Sequence, residues 1–176
     1  ASWGSEGTLD FEAINTLLPP KDALFPHTEK MYSYKVSNQE VTDLTVHNEG
    51  DQQVIFGLRA CDMQSIKCMD DVFLTKTFVD EYYKNKRDKL VTVCIGCTKT
   101  APTCFCDSMG LNPSQHEAAD VRMYDLGDFY GVEAQTEAGE KLVAKWQNLL
   151  GEGEVTVPQV ACTLKVDMTG VPQKLA

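Results

Sequence analysis

At 176 residues the chain is long enough to bury one core without disulfide staples. Its net charge of −10, from 16 basic and 26 acidic residues, removes the basic footprint that nucleic acid requires. Apolar residues make up 43%, but no run approaches a bilayer span and the polar opening ASWGSEG lacks a signal-peptide core, so a cytoplasmic protein with no membrane insertion is expected.

In chain order, Pro19-Pro20 blocks any helix begun near Phe11, and ALFPH at 23–27 reads as an extended connection anchored by Leu24 and Phe25. KMYSYKV at 30–36 alternates apolar and polar residues and predicts a strand, followed by a turn cluster at 47–51. VIFGL at 54–58 predicts a buried strand. A helix then starts at Asp62, taken as its N-cap, with Met63, Ile66, Cys68, Met69 and Phe73 on one face. A second helix is predicted over 78–88, its acidic start and basic end matching the helix dipole. KLVTVCI at 89–95 is the clearest buried strand. Strands at 121–126 and 129–134 follow, broken around Gly127-Asp128. The last helix is predicted over 137–150, with Ala138, Leu142, Trp146 and Leu149 at helical spacing. This alternation implies an α/β layered domain over residues 1–150, a mixed sheet flanked by helices, and a linker or docking arm over 151–176. No glycine-rich fingerprint follows a strand, which leaves no case for a Rossmann dinucleotide site.

Seven cysteines are present, and four fall within residues 94–106, CIGCTKTAPTCFC. Without an export signal, clustered thiols point to metal or redox chemistry rather than disulfides. Cys68, Cys94 and Cys162 lie in apolar contexts and read as small buried hydrophobes. Cys97, Cys104 and Cys106 lie among Thr, Lys, Pro and Asp, where free thiols would invite oxidation and coordination removes that liability. An extended backbone through Phe105 would send the Cys104 and Cys106 sulfurs to one side. A fourth ligand could come from Cys94 or Cys61. Parallel neighbouring strands at 54–59 and 89–95 would open Cys61 and Cys97 onto one sheet edge, which favours Cys61. The scattered set Cys61, Cys97, Cys104 and Cys106, with no paired C-x2-C knuckles, favours an iron–sulfur centre over zinc. His27, His47 and His116 share no ligand spacing and read as surface or capping residues. Arg59 reads either as a counter-charge to the thiolates or, more simply, as a surface ion pair.

The segments FGLRACDMQSIKCMDDVFL, EYYKNKRDKLVTVCIGC and TCFCDSMG, with ALFPHTEKMYSY at 23–34, resemble the N-terminal domain of an iron–sulfur protein family. That family includes an iron–sulfur component of anaerobic sulfite reductase and the beta chains of sulfhydrogenases. The resemblance runs in order from about residue 20 to 150, and its family cysteines fall on Cys61, Cys97, Cys104 and Cys106. It implies a non-catalytic electron-transfer subunit, carrying a [4Fe–4S] cluster and partnered by other redox subunits of an anaerobic complex. The family's ferredoxin-like region with C-x2-C-x2-C-x3-C repeats is absent here. Two other readings are a flavin-linked oxidoreductase domain and a zinc-stabilised interaction module, the latter because zinc also takes four thiolates.

Overall fold

The computed structural model describes residues 13, 14, 16, 19–48 and 50–171. The expected helix block near Phe11 lies outside them. Pro20–Ala23 forms one 3-10 turn, and the chain then buries Leu24 completely, while half-exposed Phe25 stacks on Phe73 at 5.0 Å between ring centroids.

Strand β1, Tyr32–Ser37, pairs antiparallel with β2, Glu40–Val46, a strand the sequence reading did not predict. The two-residue turn between them holds Asn38 and Gln39 at φ of 52° and 69°, the backbone that favours tight hairpins. This ribbon stands apart from the main sheet, with Tyr32, Tyr34, Val36, Val41, Leu44 and Val46 all exposed.

The main sheet is mixed, in the order β3-β4-β5-β6. Strands β3 (Gln53–Leu58), β4 (Leu90–Ile95) and β5 (Val121–Asp125) run parallel, and β6 (Tyr130–Ala134) returns antiparallel to β5. Every residue of β4 is buried, as its unbroken apolar run requires of a strand covered on both faces. Helix α1 (Ala60–Phe73) and helix α2 (Glu81–Asp88) lie between β3 and β4 in the chain. On their side Leu24, Leu58, Met63, Ile66, Tyr83, Leu90, Cys94 and Ala119 form one core cluster. On the other side Val93, Ile95, Val121 and Met123 pack against Leu142, Val143 and Trp146. The layered α/β architecture with a mixed sheet is therefore as expected.

Several local expectations are corrected. Helix α1 begins at Ala60, so Asp62 is its third residue rather than its N-cap, and the carboxylate reaches back to accept the Arg59 N–H at 2.9 Å. The second helix begins at Glu81, not residue 78, because the Asp80 side chain accepts the Tyr83 N–H and caps it there. The last helix, α3, spans Glu137–Val143 and continues to Leu149 only as a 3-10 helix, leaving Leu149 85% exposed. Cys68 is exposed, not part of the core. His116 is 6% exposed rather than superficial.

Candidate metal centre at the strand ends

The parallel pairing of β3 with β4 puts the C-terminal ends of both strands at one edge of the sheet. Cys61, the second residue of α1, follows β3 there, and Cys97 follows β4 two residues beyond its end. Gly96 makes the exit possible: a Cβ on it would lie 2.2 Å from the Ser114 carbonyl oxygen. The chain from Gly96 to Asp120 then folds back over this edge. Cys97 N–H is bonded to the Pro113 carbonyl, and Cys106–Met109 makes a 3-10 turn closed by Gly110 at φ 72°. Cys104 and Cys106 sit on this returning loop, so the cysteine loop lies at a strand C-terminal edge.

The sulfurs lie within one another's electrostatic reach. Burial and the neighbouring Asp62 carboxylate push the Cys61 thiol up, with Cys104 adding to the effect. The thiol is the partly desolvated end of an otherwise exposed residue. Cys97 is raised by burial and by Cys61, Cys104 and Cys162, while Arg59 opposes the rise. Cys106 is pushed up to about 12, chiefly by burial, then by Cys61, Cys162 and Cys104. Cys61 thus lies within electrostatic reach of Cys97, Cys104 and Cys106. Among the described residues, no three metal-ligating side chains are close enough to hold a single ion as they stand.

Cys94 belongs elsewhere. It is 1% exposed inside the core beneath the sheet, and burial pushes its thiol up to about 12. Cys162 is 3% exposed, the buried residue its apolar context predicts. It lies on the side of the site, where it adds to the rise of the Cys97 and Cys106 thiols. The arm that carries it is held by Asp107, whose carboxylate accepts the Cys162 N–H at 2.9 Å and the Lys165 ammonium at 2.7 Å. Ser108 Oγ accepts the Val166 N–H at 2.8 Å, and Thr100 Oγ1 donates to the Ala161 carbonyl at 3.2 Å. No local sequence signal joins these segments; the one hint was the thiol itself.

Among the described residues Arg59 makes no ion pair. Its guanidinium donates to the carbonyls of Ile95 at 3.2 Å and Ala13 at 2.7 Å, which fixes it beside Cys97. One backbone N–H, that of Ala101, donates to Cys104 Sγ at 3.3 Å. A pocket of about 30 Å³, lined by Arg59, Gly96, Cys97, Lys99 and Tyr130 among others, gives water a way to the Cys97 side. His116 sits behind the loop: Nδ1 accepts the Ala118 N–H at 3.2 Å, so Nε2 carries the proton donated to Gln64 Oε1 at 3.1 Å. Among the described residues, no helix is long and apolar enough to cross a membrane.

No protein-family model and no solved structure matches the chain. It is 30% identical over 141 residues to sulfhydrogenase 2 subunit beta of Pyrococcus furiosus. The matched stretch is 80% of this chain and 39% of that protein, so the chain spans about two fifths of the relative's length. Over most of its length, then, the chain is a distant homologue of a sulfhydrogenase beta subunit.

Proposed function

We propose that the chain is an electron-transfer domain that holds one [4Fe–4S] cluster through Cys61, Cys97, Cys104 and Cys106, within a subunit of a hydrogenase-type complex. One observation carries this reading. A thiol from the start of α1 lies in the field of three thiols from a loop that begins 35 residues later, all at the sheet edge where parallel strands end. The donor set fits the group: the neighbouring ligands are soft thiols, which iron–sulfur clusters take. The distant homology to a sulfhydrogenase subunit supports redox partners and an electron-carrying role.

When bound, such a cluster exchanges a single electron, with no bond to a substrate made or broken. The chain's part is to hold the sulfurs and to set the cost of the added charge. The Ala101 N–H on Cys104 and the anchored Arg59 beside Cys97 both favour negative charge at the site. Asp62 acts in the opposite sense on Cys61. Partial burial of all four thiols strengthens both effects.

Anaerobic reconstitution with iron and sulfide tests the proposal. The wild type should turn brown and bind about four irons per chain. Cys61→Ser, Cys97→Ser, Cys104→Ser and Cys106→Ser should each lose most of that colour. A colourless protein holding zinc, or a yellow fluorescent one holding flavin, would replace this reading by the corresponding alternative.

A further inference from the structure

The loop that carries Cys104 and Cys106 has little of its own to hold it in place. None of residues 97–110 is buried, and the regular structure there is the 3-10 turn Cys106–Met109. Phe105 and Met109 are exposed rather than seated in a core. A loop without buried apolar side chains opens at small cost.

The support comes from residues 151–170, which contain no helix or strand but cross the loop on its outer side. Before Cys104, Thr100 Oγ1 donates to the Ala161 carbonyl at 3.2 Å. After Cys106, the Asp107 carboxylate accepts the Cys162 N–H at 2.9 Å and the Lys165 ammonium at 2.7 Å, and Ser108 Oγ accepts the Val166 N–H at 2.8 Å. The stretch 161–166 therefore brackets Cys104-Phe105-Cys106, bonded to the loop on either side of it. The arm is itself seated: Cys162 is 3% exposed between exposed Ala161 and Thr163. Further back, Val155 lies so close to Gly131 of β6 that a Cβ there would be 2.6 Å from it.

We propose that residues 155–166 are a clasp that fixes the Cys104–Cys106 turn relative to Cys61 and Cys97, and that Asp107 is its positioning residue. The consequence for bound iron rests on the electron-carrier reading above; the docking of the arm does not. Asp107 directly follows Cys106, so any movement of the arm reaches the Cys106 sulfur across one peptide unit. With the clasp open, Cys104 and Cys106 move away together. With it closed, a metal can leave only by breaking its bonds one after another. The clasp thus slows metal loss without being a ligand.

The test measures iron release to an excess of ferrous chelator under nitrogen, from iron-loaded wild type, Asp107→Ala, Asp107→Asn and Lys165→Ala. Asp107→Ala should release iron about tenfold faster, the order expected when charge-assisted hydrogen bonds are lost from the docked arm. Asp107→Asn keeps a carbonyl acceptor for the Cys162 N–H and should recover part of the slow rate. Lys165→Ala should have the smaller effect, because its ammonium is largely exposed. The urea midpoint of the metal-free chain should hardly change in any of them, whereas a purely structural role would lower it in proportion to the release rate. An Asp107→Ala variant that loads no iron while keeping its midpoint supports the clasp as fast release does. Release at the wild-type rate, or a rise that follows the midpoint, would overturn the proposal.

Alkylation of the metal-free chain by iodoacetamide, mapped by peptide mass, separates the clasp from the cluster reading. Cys162 should label at least about tenfold more slowly than exposed Cys68. Asp107→Ala should remove most of that protection and quicken labelling of Cys104 and Cys106, while Cys68 stays as it was. Wild-type Cys162 labelling as fast as Cys68 would show the arm undocked and defeat the clasp even if iron binds. A wild type that takes up no iron would defeat the cluster reading, and slow Cys162 labelling released by Asp107→Ala would still support the clasp.

Discussion

The Asp120 carboxylate accepts both the backbone N–H of Thr92, at 2.8 Å, and its hydroxyl, at 2.7 Å, and its own N–H donates back to Thr92 Oγ1 at 3.1 Å. Thr92 is fully buried in β4, so these bonds satisfy a polar residue inside the strand that leads to Cys97. The other oxygen of Asp120 accepts the hydroxyl of Thr136, the N-cap of α3. One carboxylate therefore ties the central strand, the approach to β5 and the helix on the far face.

Removing it should be felt widely. Asp120→Ala strands the Thr92 N–H and hydroxyl in the core, and we expect a loss of about 2–4 kcal/mol. Urea unfolding followed by circular dichroism should show a lower midpoint with an unchanged slope. Asp120→Asn, whose side-chain carbonyl can still accept from Thr92, should return part of the loss. Failure of that partial rescue would mean that Asp120 acts mainly through α3.

Cys94 and Cys104 should separate packing from ligation. Serine at 94 places a hydroxyl in an apolar cluster, with an expected loss of about 1–3 kcal/mol and no change in bound iron. Serine at 104 should change stability of the metal-free chain little and remove most of the colour. The measurement is iron per chain beside urea midpoint for both variants. A bleached Cys94→Ser with full stability would exchange the two roles.

Much of this arrangement was legible in the sequence, for identifiable reasons. β4 announced itself because a strand buried on both faces needs an unbroken apolar run, and parallel β3 and β4 then dictate that Cys61 and Cys97 share an edge. Cys68 misled because helical spacing was read loosely. At about 100° per residue it lies on the opposite side of α1 from Met63, Ile66, Met69 and Phe73. β2 was missed because its turn is built from Asn38-Gln39, without the glycine that usually marks positive φ. The arm and the burial of His116 depend on contacts far apart in the chain, as from Asp107 to Cys162 and from Gln64 to His116, and no local periodicity encodes those.

His116 gives the fold a pH dependence with a definite sign. Burial, with Lys67 and Arg122 nearby, holds its pKa below the ordinary value of 6.5, although Glu117 pulls the other way. The folded state thus binds fewer protons than the unfolded chain in mildly acidic solution. The contribution of the neutral ring is complete above pH 6.5 and is lost as pH falls through the folded pKa. Unfolding free energies from urea titrations at pH 7.5, 6.5 and 5.5 should decline in wild type, by at most about 1.4 kcal/mol per pH unit for this one proton. His116→Gln should flatten the decline. An equal decline in both proteins would assign it to other groups.

Gly96 links the fold to the site most directly. It lies between the end of β4 and Cys97, where the loop returns so closely that the Ser114 carbonyl oxygen occupies the place of a Cβ, 2.2 Å away. The clash is with backbone, which cannot swing aside as a flexible side chain would. Gly96→Ala must therefore push apart the Cys97 turn and the 112–116 segment, breaking the Cys97 N–H bond to Pro113 and the Ser114 hydroxyl's bond to the Cys97 carbonyl. We expect about 1–3 kcal/mol of overpacking cost in the metal-free chain. Iron retained after reconstitution should fall severalfold, because Cys97 is displaced from Cys61, Cys104 and Cys106. Iron content and urea midpoint measured on one preparation would distinguish this from simple unfolding: a variant with near-native stability but little iron is the expected result, and a fully loaded one would show that Cys97 is not held by this turn.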